Sequence, residues 1–305
     1  MRALVIDKVS DKLIHKLNEH NIEVDYKPNI DRESILKIID HYNILVFRSR
    51  IKIDREIIDK GSNLKVLARY GIGLDNVDIN YAIARGIAVV NASTASCISV
   101  AELTIGLMLV VARNLYLHIN SVKKGEWSKG MYTGIELHGK TLGIVGFGKI
   151  GSRVGVYARA LGMKLLVYDI KDVSLEVGVL GGKQVDFETL LENSEVVTFH
   201  VPLTPQTYHM LNSDTLGLVK DGAIIINTSR GEVIDSKALL NHIDRLGGIA
   251  LDVLEEEPPR SPHLIELVKH PKVIVTPHIG AETVDAMNRI ADELVNNILE
   301  AIKWC

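Results

Sequence analysis

Three short apolar runs in the second half of this 305-residue chain each hand over to a group that can hold or move a charge. The run 223–227 is followed by Thr228, Ser229 and Arg230, whose planar guanidinium can grip a carboxylate through two hydrogen bonds. The run 249–253 carries Asp252 and continues into Glu255, Glu256 and Glu257. The run 273–275 is followed by Thr276, Pro277 and His278, an imidazole suited to proton exchange near neutral pH. Each feature has a plain structural reading: an arginine in a surface ion pair, three glutamates in a solvated loop, a histidine packed at a strand end. At neighbouring strand ends, however, an arginine, a carboxylate and a histidine form a set that can oxidise an alcohol next to an acid group. One group holds the acid, one orients the imidazole, and the imidazole takes the hydroxyl proton as hydride departs.

A place for the hydride acceptor lies earlier in the chain. The strand-like run 141–145 leads directly into Gly146, Phe147, Gly148, Lys149, Ile150 and Gly151, a Gly-x-Gly-x-x-Gly series at a strand-to-helix junction. Gly146 permits the tight turn, Gly148 lets backbone approach a pyrophosphate, and Gly151 lets the helix sit close to the strand. The phosphates then face the positive N-terminal end of the helix that starts at Lys149 and Ile150. The next apolar run ends at Asp169, 18 residues past Gly151, where a carboxylate can accept hydrogen bonds from the adenosine ribose hydroxyls. That carboxylate would repel the additional phosphate of NADP, so the expected cofactor is NAD.

The elements that must position these groups follow from the alternation of apolar runs with amphipathic ones. In the first ninety residues, 3–6, 44–47, 65–68 and 88–90 read as buried strands, with helices between them. Ser10 and Asp31 stand where helix N-caps belong. One long helix is expected over 99–123, then a loose polar stretch over 125–139. Strand-like runs resume at 141–145, 164–168, 196–200, 223–227, 249–253 and 273–275, and a closing amphipathic helix occupies 282–302. Strand and helix in alternation imply parallel sheets, so the fold class is α/β with two domains.

Composition removes several function classes. Lys plus Arg is 35 against Asp plus Glu 38, a net charge of −3 that offers polyanions no attractive field, so no nucleic acid partner is expected. The longest uncharged apolar stretch, 103–112, is about half the ~20 residues a membrane span needs, and no membrane partner is expected. The N-terminal apolar run stops at Asp7, short of a secretory signal, which points to the cytoplasm. Two cysteines, Cys97 and Cys305, cannot build a disulfide framework, and no Cys or His spacing suits a metal.

Beyond these readings, the chain resembles the D-2-hydroxyacid dehydrogenase family along nearly its whole length. The resemblance is carried by Arg69-Tyr70-Gly71-Ile72-Gly73-Leu74-Asp75-Asn76-Val77-Asp78, the glycine series, His200-Val201-Pro202-Leu203, Asn227-Thr228-Ser229-Arg230-Gly231, Ala250-Leu251-Asp252-Val253 with Glu257-Pro258, and Thr276-Pro277-His278-Ile279-Gly280. It implies a Rossmann-type NAD domain over 98–277 and a flavodoxin-like substrate domain made of 1–97 and 278–305, both doubly wound parallel sheets. It implies that Arg230 orients the substrate, that Glu257 pairs with His278, and that His278 exchanges the hydroxyl proton. Val201, Pro202, Thr228 and Asp252 would border the nicotinamide half of NAD. Ile72 stands where family members often carry threonine. A homodimer formed through the NAD domain is also implied.

Substrate choice rests on the first domain. Arg48, Ser49 and Arg50 resemble the phosphate-side motif of the phosphoglycerate-oxidising members, Gly71, Ile72 and Gly73 form a second substrate loop, and Lys129 matches a further basic position. Two guanidiniums and an ammonium suit a phosphate dianion, so the expected reaction is NAD-dependent oxidation of 3-phosphoglycerate to 3-phosphohydroxypyruvate, a step toward serine. Reduction of glyoxylate or hydroxypyruvate is the alternative, and an NAD-sensing scaffold without catalysis is the third. Because the sequence stops just after its closing helix, no serine-sensing C-terminal domain is expected.

Overall fold

The computed structural model describes residues 1–304, which divide into two compact units. One comprises Met1–Ser96 together with the chain from Ala281 onward, and the other is Cys97–Gly280. The second division falls three residues beyond the expected boundary at 277/278, because Asp252 holds 278–280. Its backbone carbonyl accepts from His278 N, and its carboxylate accepts from Ile279 N and Gly280 N, each at 2.9 Å.

The first unit contains β1 (Arg2–Val5), β2 (Glu23–Tyr26), β3 (Ile44–Phe47), β4 (Val66–Arg69) and β5 (Ala88–Asn91), all parallel, in the order β2-β1-β3-β4-β5. This is the flavodoxin-like order. β2 escapes a search for apolar runs because Glu-Val-Asp-Tyr is half-exposed and pairs only with β1 at the sheet edge. Ser10 and Asp31 do cap helices, accepting hydrogen bonds from Lys12 N and Ser34 N. The returning helix Val284–Ile302 buries Ile290, Ala291, Leu294, Val295 and Ile298 against Ala3, Val5, Ile44, Val46 and Val66.

The second unit contains β6 (Thr141–Val145), β7 (Lys164–Tyr168), β8 (Lys183–Gln184), β9 (Val196–Phe199), β10 (Ile224–Asn227), β11 (Gly248–Leu251) and β12 (Val273–Val275). Their spatial order is β12-β11-β10-β9-β6-β7-β8. β8 is a two-residue edge strand, too short to leave a sequence signal. Successive residues of the central strands point into different cores: Val197, Phe199, Ile225 and Ile249 into one, Val196, Ile224, Ile226 and Ala250 into the other. A sheet covered on both faces explains why these strands read as continuous apolar runs. Chain order reverses between the neighbours β6 and β9, and such a reversal opens a crevice outside the carboxyl ends of the strands.

The long helix expected over 99–123 is two helices, Cys97–Ala112 and Leu115–Lys123, bent by 69°. Asn114 takes a left-handed conformation (φ 49°) at the break, and Gly134 packs so tightly there that a Cβ would lie 2.5 Å from the Ala112 carbonyl oxygen. Apolarity continues across the bend, so periodicity alone does not reveal it. Among the described residues, no single helix is long and apolar enough to cross a membrane. Cys97 is buried and in no disulfide, while Cys305 lies outside the described residues.

Candidate functional site

The glycine series lies at the reversal point. Gly146 ends β6 with φ 90°, and a Cβ there would meet His200 O at 2.7 Å and Val201 Cγ1 at 2.8 Å. Only glycine therefore lets β6 and β9 close up at this corner. Gly151 is equally constrained, since its Cβ would fall 2.0 Å from Gly146 O. Gly148 differs from both. Its backbone is extended, and an added Cβ would meet nothing within 4 Å, so the protein's own packing does not require glycine. Gly148 and Lys149 are exposed at the start of the helix Lys149–Ala160, which no side chain caps. An open, uncapped helix N-terminus behind a glycine that serves no internal contact fits a pyrophosphate.

Asp169 reaches back to this corner. Its Oδ2 accepts from Phe147 N at 2.7 Å and its Oδ1 from Lys171 N at 2.9 Å, which places the carboxylate beside the glycine turn. At the end of β9, His200 approaches Thr198 Oγ1 through Nε2 at 3.0 Å, and burial pushes its pKa down to about 3. The imidazole is therefore neutral, and it adds no charge where a dinucleotide would lie. Val201 is half-buried and Pro202 exposed on the following loop. Thr228, after β10, shares a 2.9 Å hydroxyl contact with Thr104 of the helix Cys97–Ala112.

The charged groups converge at the ends of β10, β11 and β12. Asn227 shapes the turn that presents Arg230: its Oδ1 accepts from Ser229 N and Ser229 Oγ, and its Nδ2 donates to Arg230 O at 2.7 Å. Arg230 Nη1 donates to Ser229 O, which steadies the guanidinium over its own loop. His278 Nδ1 lies 2.9 Å from Glu257 Oε2, and Glu257 Oε1 accepts from Leu254 N at 3.1 Å. Burial pushes the Glu257 carboxyl up, but the hydrogen bond and charge of His278, the Leu254 N–H and the charge of Arg230 together hold it below the usual carboxylate range. With Nδ1 engaged, Nε2 is the ring nitrogen left for a substrate hydroxyl.

His278 sits at φ 55°, a left-handed backbone that costs a non-glycine residue roughly 1 to 3 kcal/mol and persists only where its surroundings over-determine it. Asp252 does this. Only 2% exposed, it accepts from Thr276 Oγ1, Ile279 N and Gly280 N, so both carboxylate oxygens serve the segment carrying His278.

The plain reading of the three glutamates as a solvated loop does not hold, since each has a partner. Glu255 bonds to His209 and Ser236 N, Glu256 to the backbone of Arg260 and to Ser261, and Glu257 to His278. Sequence reasoning missed His209, whose partner is 46 residues away. It also missed the bracing done by Asp252 and Asn227, because hydrogen bonds to backbone leave no spacing rule.

The remaining candidates lie elsewhere. Arg48, Ser49 and Arg50 follow β3, and Gly71, Ile72 and Gly73 follow the adjacent β4, so these six share one edge of the first unit. Arg50 Nε pairs with buried Asp7 at 2.7 Å and its Nη2 donates to Ile6 O, while Arg48 pairs with Glu282. Gly71 takes φ 141°, and the loop is tied to β5 through Asn91 Nδ2 and Ala92 N. Lys129 is exposed in the second unit.

Residues 105–280 match the family model for the D-isomer specific 2-hydroxyacid dehydrogenase NAD binding domain. The chain is 41% identical over 299 residues to a hydroxypyruvate reductase of Thermotoga maritima, covering 97% of this chain and 96% of that protein. It is also 41% identical over 308 residues to a D-3-phosphoglycerate dehydrogenase of Methanocaldococcus jannaschii, covering 99% of this chain and 58% of that one. The chain thus spans little more than half the length of that dehydrogenase. Among solved structures, the D-lactate dehydrogenase of Aquifex aeolicus complexed with NAD and lactic acid is similar with TM-score 0.86 and 29% identity, over 99% of this chain and 96% of that one.

Proposed function

This chain belongs to the D-isomer-specific 2-hydroxyacid dehydrogenase family, and from that premise we propose that it oxidises the 2-hydroxyl of 3-phosphoglycerate with NAD. The observation that carries the chemistry is the 2.9 Å contact between His278 Nδ1 and Glu257, which leaves Nε2 for the substrate. When bound, NAD supplies the hydride acceptor. Gly148 and the backbone at Lys149 and Ile150 receive its pyrophosphate, and Asp169 receives the adenosine ribose. Val201, Pro202 and Thr228 border the nicotinamide half, and Asp252 serves that region through the segment it braces.

Arg230 holds the substrate carboxylate and fixes the carbinol carbon. As the C2–H bond gives up hydride, His278 Nε2 takes the hydroxyl proton, and a carbon–oxygen double bond forms where the alcohol was. Glu257 keeps the ring turned toward the substrate and stabilises the imidazolium that results. The products are the 2-oxo acid, the reduced cofactor and one proton, which His278 passes to solvent.

The phosphate reading rests on Arg48, Ser49 and Arg50 together with the Gly71–Gly73 loop of the first unit. A second reading, reduction of hydroxypyruvate, is favoured by one observation: Arg50 is already bonded to Asp7 and Ile6 O, and a phosphate would have to compete for it. We also propose a homodimer, supported by exposed Ile119, Val122, Trp127 and Met131 in the second unit. Initial rates of NADH formation or consumption with 3-phosphoglycerate, glycerate, lactate, hydroxypyruvate and glyoxylate test the assignment. Preference for 3-phosphoglycerate supports the first reading, and equal or better turnover of unphosphorylated acids replaces it with the second.

A further inference from the structure

Besides the His278–Glu257 pair, the second unit holds a second imidazole between carboxylates: His209 has Asp235 Oδ2 at 3.8 Å from its Nδ1 and Glu255 on its other side. His209 Nε2 and Glu255 Oε1 are 2.6 Å apart, and both side chains are mostly buried. The bonds around this pair join three loops: the one that carries Glu257, the one that carries Arg230, and the one after β9 that carries His209. The second oxygen of Glu255 accepts from Ser236 N at 3.0 Å. His209 N donates to Glu232 O at 2.8 Å, and its ring stacks on Tyr208 at 4.0 Å. Asn212 Nδ2 donates to His209 O, and His209 itself is held at φ 47°, a second left-handed histidine. At the point where the loops meet, a Cβ on Gly231 would fall 2.0 Å from Leu254 C and 2.4 Å from Glu255 N. The backbone beside Glu255 is therefore pressed flush against the residue that follows Arg230.

From this arrangement we infer that Glu255, through His209 and Ser236, is a positioning residue that sets the Glu257 loop against the Arg230 loop. The inference rests on the dehydrogenase reading for its effect on turnover, though not for the clamp itself. A carboxylate attached by a single residue, Glu256, to the one that orients His278 transmits any slackening directly to that ring. Misplacing catalytic groups by about 1 Å costs on the order of a hundredfold in rate.

The test compares Glu255→Ala, Glu255→Gln, Glu257→Gln and the double variant Glu255→Ala/Glu257→Gln. Glu255→Ala is expected to lower kcat by about tenfold to a hundredfold, with KM for NAD changed less than about twofold because the glycine corner is untouched. Glu255→Gln keeps an acceptor for Ser236 N and recovers most of the rate. In the Glu257→Gln background, Glu255→Ala adds little, since the residue it positions is already disabled. A multiplicative effect in the double variant, or a lowered Tm with kcat unchanged, overturns the inference. Backbone hydrogen exchange gives a readout independent of turnover. Glu255→Ala should speed exchange in 230–236 and 253–257 together, and unchanged exchange there overturns the clamp whether or not the wild type oxidises any of the acids.

Discussion

At the carboxyl ends of β10 to β12, carboxylates brace the backbone and the imidazole and leave Nε2 of His278 over; beyond β3, Arg48 and Arg50 are satisfied within their own unit. In the first case Asp252 spends both oxygens on backbone, Glu257 spends one on Leu254 N and one on His278, and Nε2 of His278 remains. In the second, Arg50 is bound to Asp7 and Ile6 O and Arg48 to Glu282. Preorganised groups act on a bound substrate without rearranging, whereas a paired cation gives affinity only when the incoming anion outcompetes its present partner.

The sharpest way to break the comparison is to remove the leftover atom. His278→Ala should lower kcat by about 10² to 10⁴-fold, the range for losing a positioned general base, while the NADH dissociation constant, read by fluorescence, stays close to wild type. A comparable loss of NADH affinity would make His278 part of the binding surface instead. The next effect tests the other side. Arg48→Ala should raise KM for 3-phosphoglycerate by about tenfold to a hundredfold, in line with one charge-assisted hydrogen bond of about 1.5 to 3 kcal/mol, and leave hydroxypyruvate kinetics alone. Arg50→Ala should instead destabilise the fold by about 1 to 3 kcal/mol, because it leaves the buried Asp7 carboxylate with one oxygen unpaired and only the Arg48 N–H on the other. Urea denaturation distinguishes the two variants.

What could be read from the sequence follows the same division. The central strands, the glycine series and the residues ending β10 to β12 were legible because burial on both faces and a strand-to-helix phosphate turn leave apolar runs and fixed glycine offsets. The edge strands β2 and β8 were not, because edges carry polar residues or are very short. The bend at Asn114 was hidden by unbroken apolarity, and the bond of Glu255 to His209 by its 46-residue separation. A run of three glutamates looks solvated in one dimension; in three, each has a different partner.

Within the glycine series the comparison recurs on a smaller scale. Gly151→Ala drives a Cβ into Gly146 O and should cost about 1 to 3 kcal/mol of stability, as overpacking does. Gly148→Ala meets no protein atom, so its Tm should stay near wild type while the NADH dissociation constant rises. Equal Tm losses in the two variants would remove the argument that Gly148 is kept for a ligand.

The smallest expected effect concerns the Glu257 carboxyl, which is held below its ordinary value in the folded protein. The unfolded chain therefore binds this proton more readily, so the stabilisation is complete above the unfolded value near 4.5 and is lost as pH falls through the lower folded value. Glu257→Gln lacks that titration. Below about pH 4.5 the Tm difference between wild type and Glu257→Gln should thus shrink toward acid, by no more than about 2 °C for a half-exposed pair. A difference that instead widened over that acid range would mean that Glu257 binds its proton more tightly when folded. Burial would then outweigh His278 and Arg230, and the carboxylate could not serve as the fixed negative partner that separates this site from the paired arginines beyond β3.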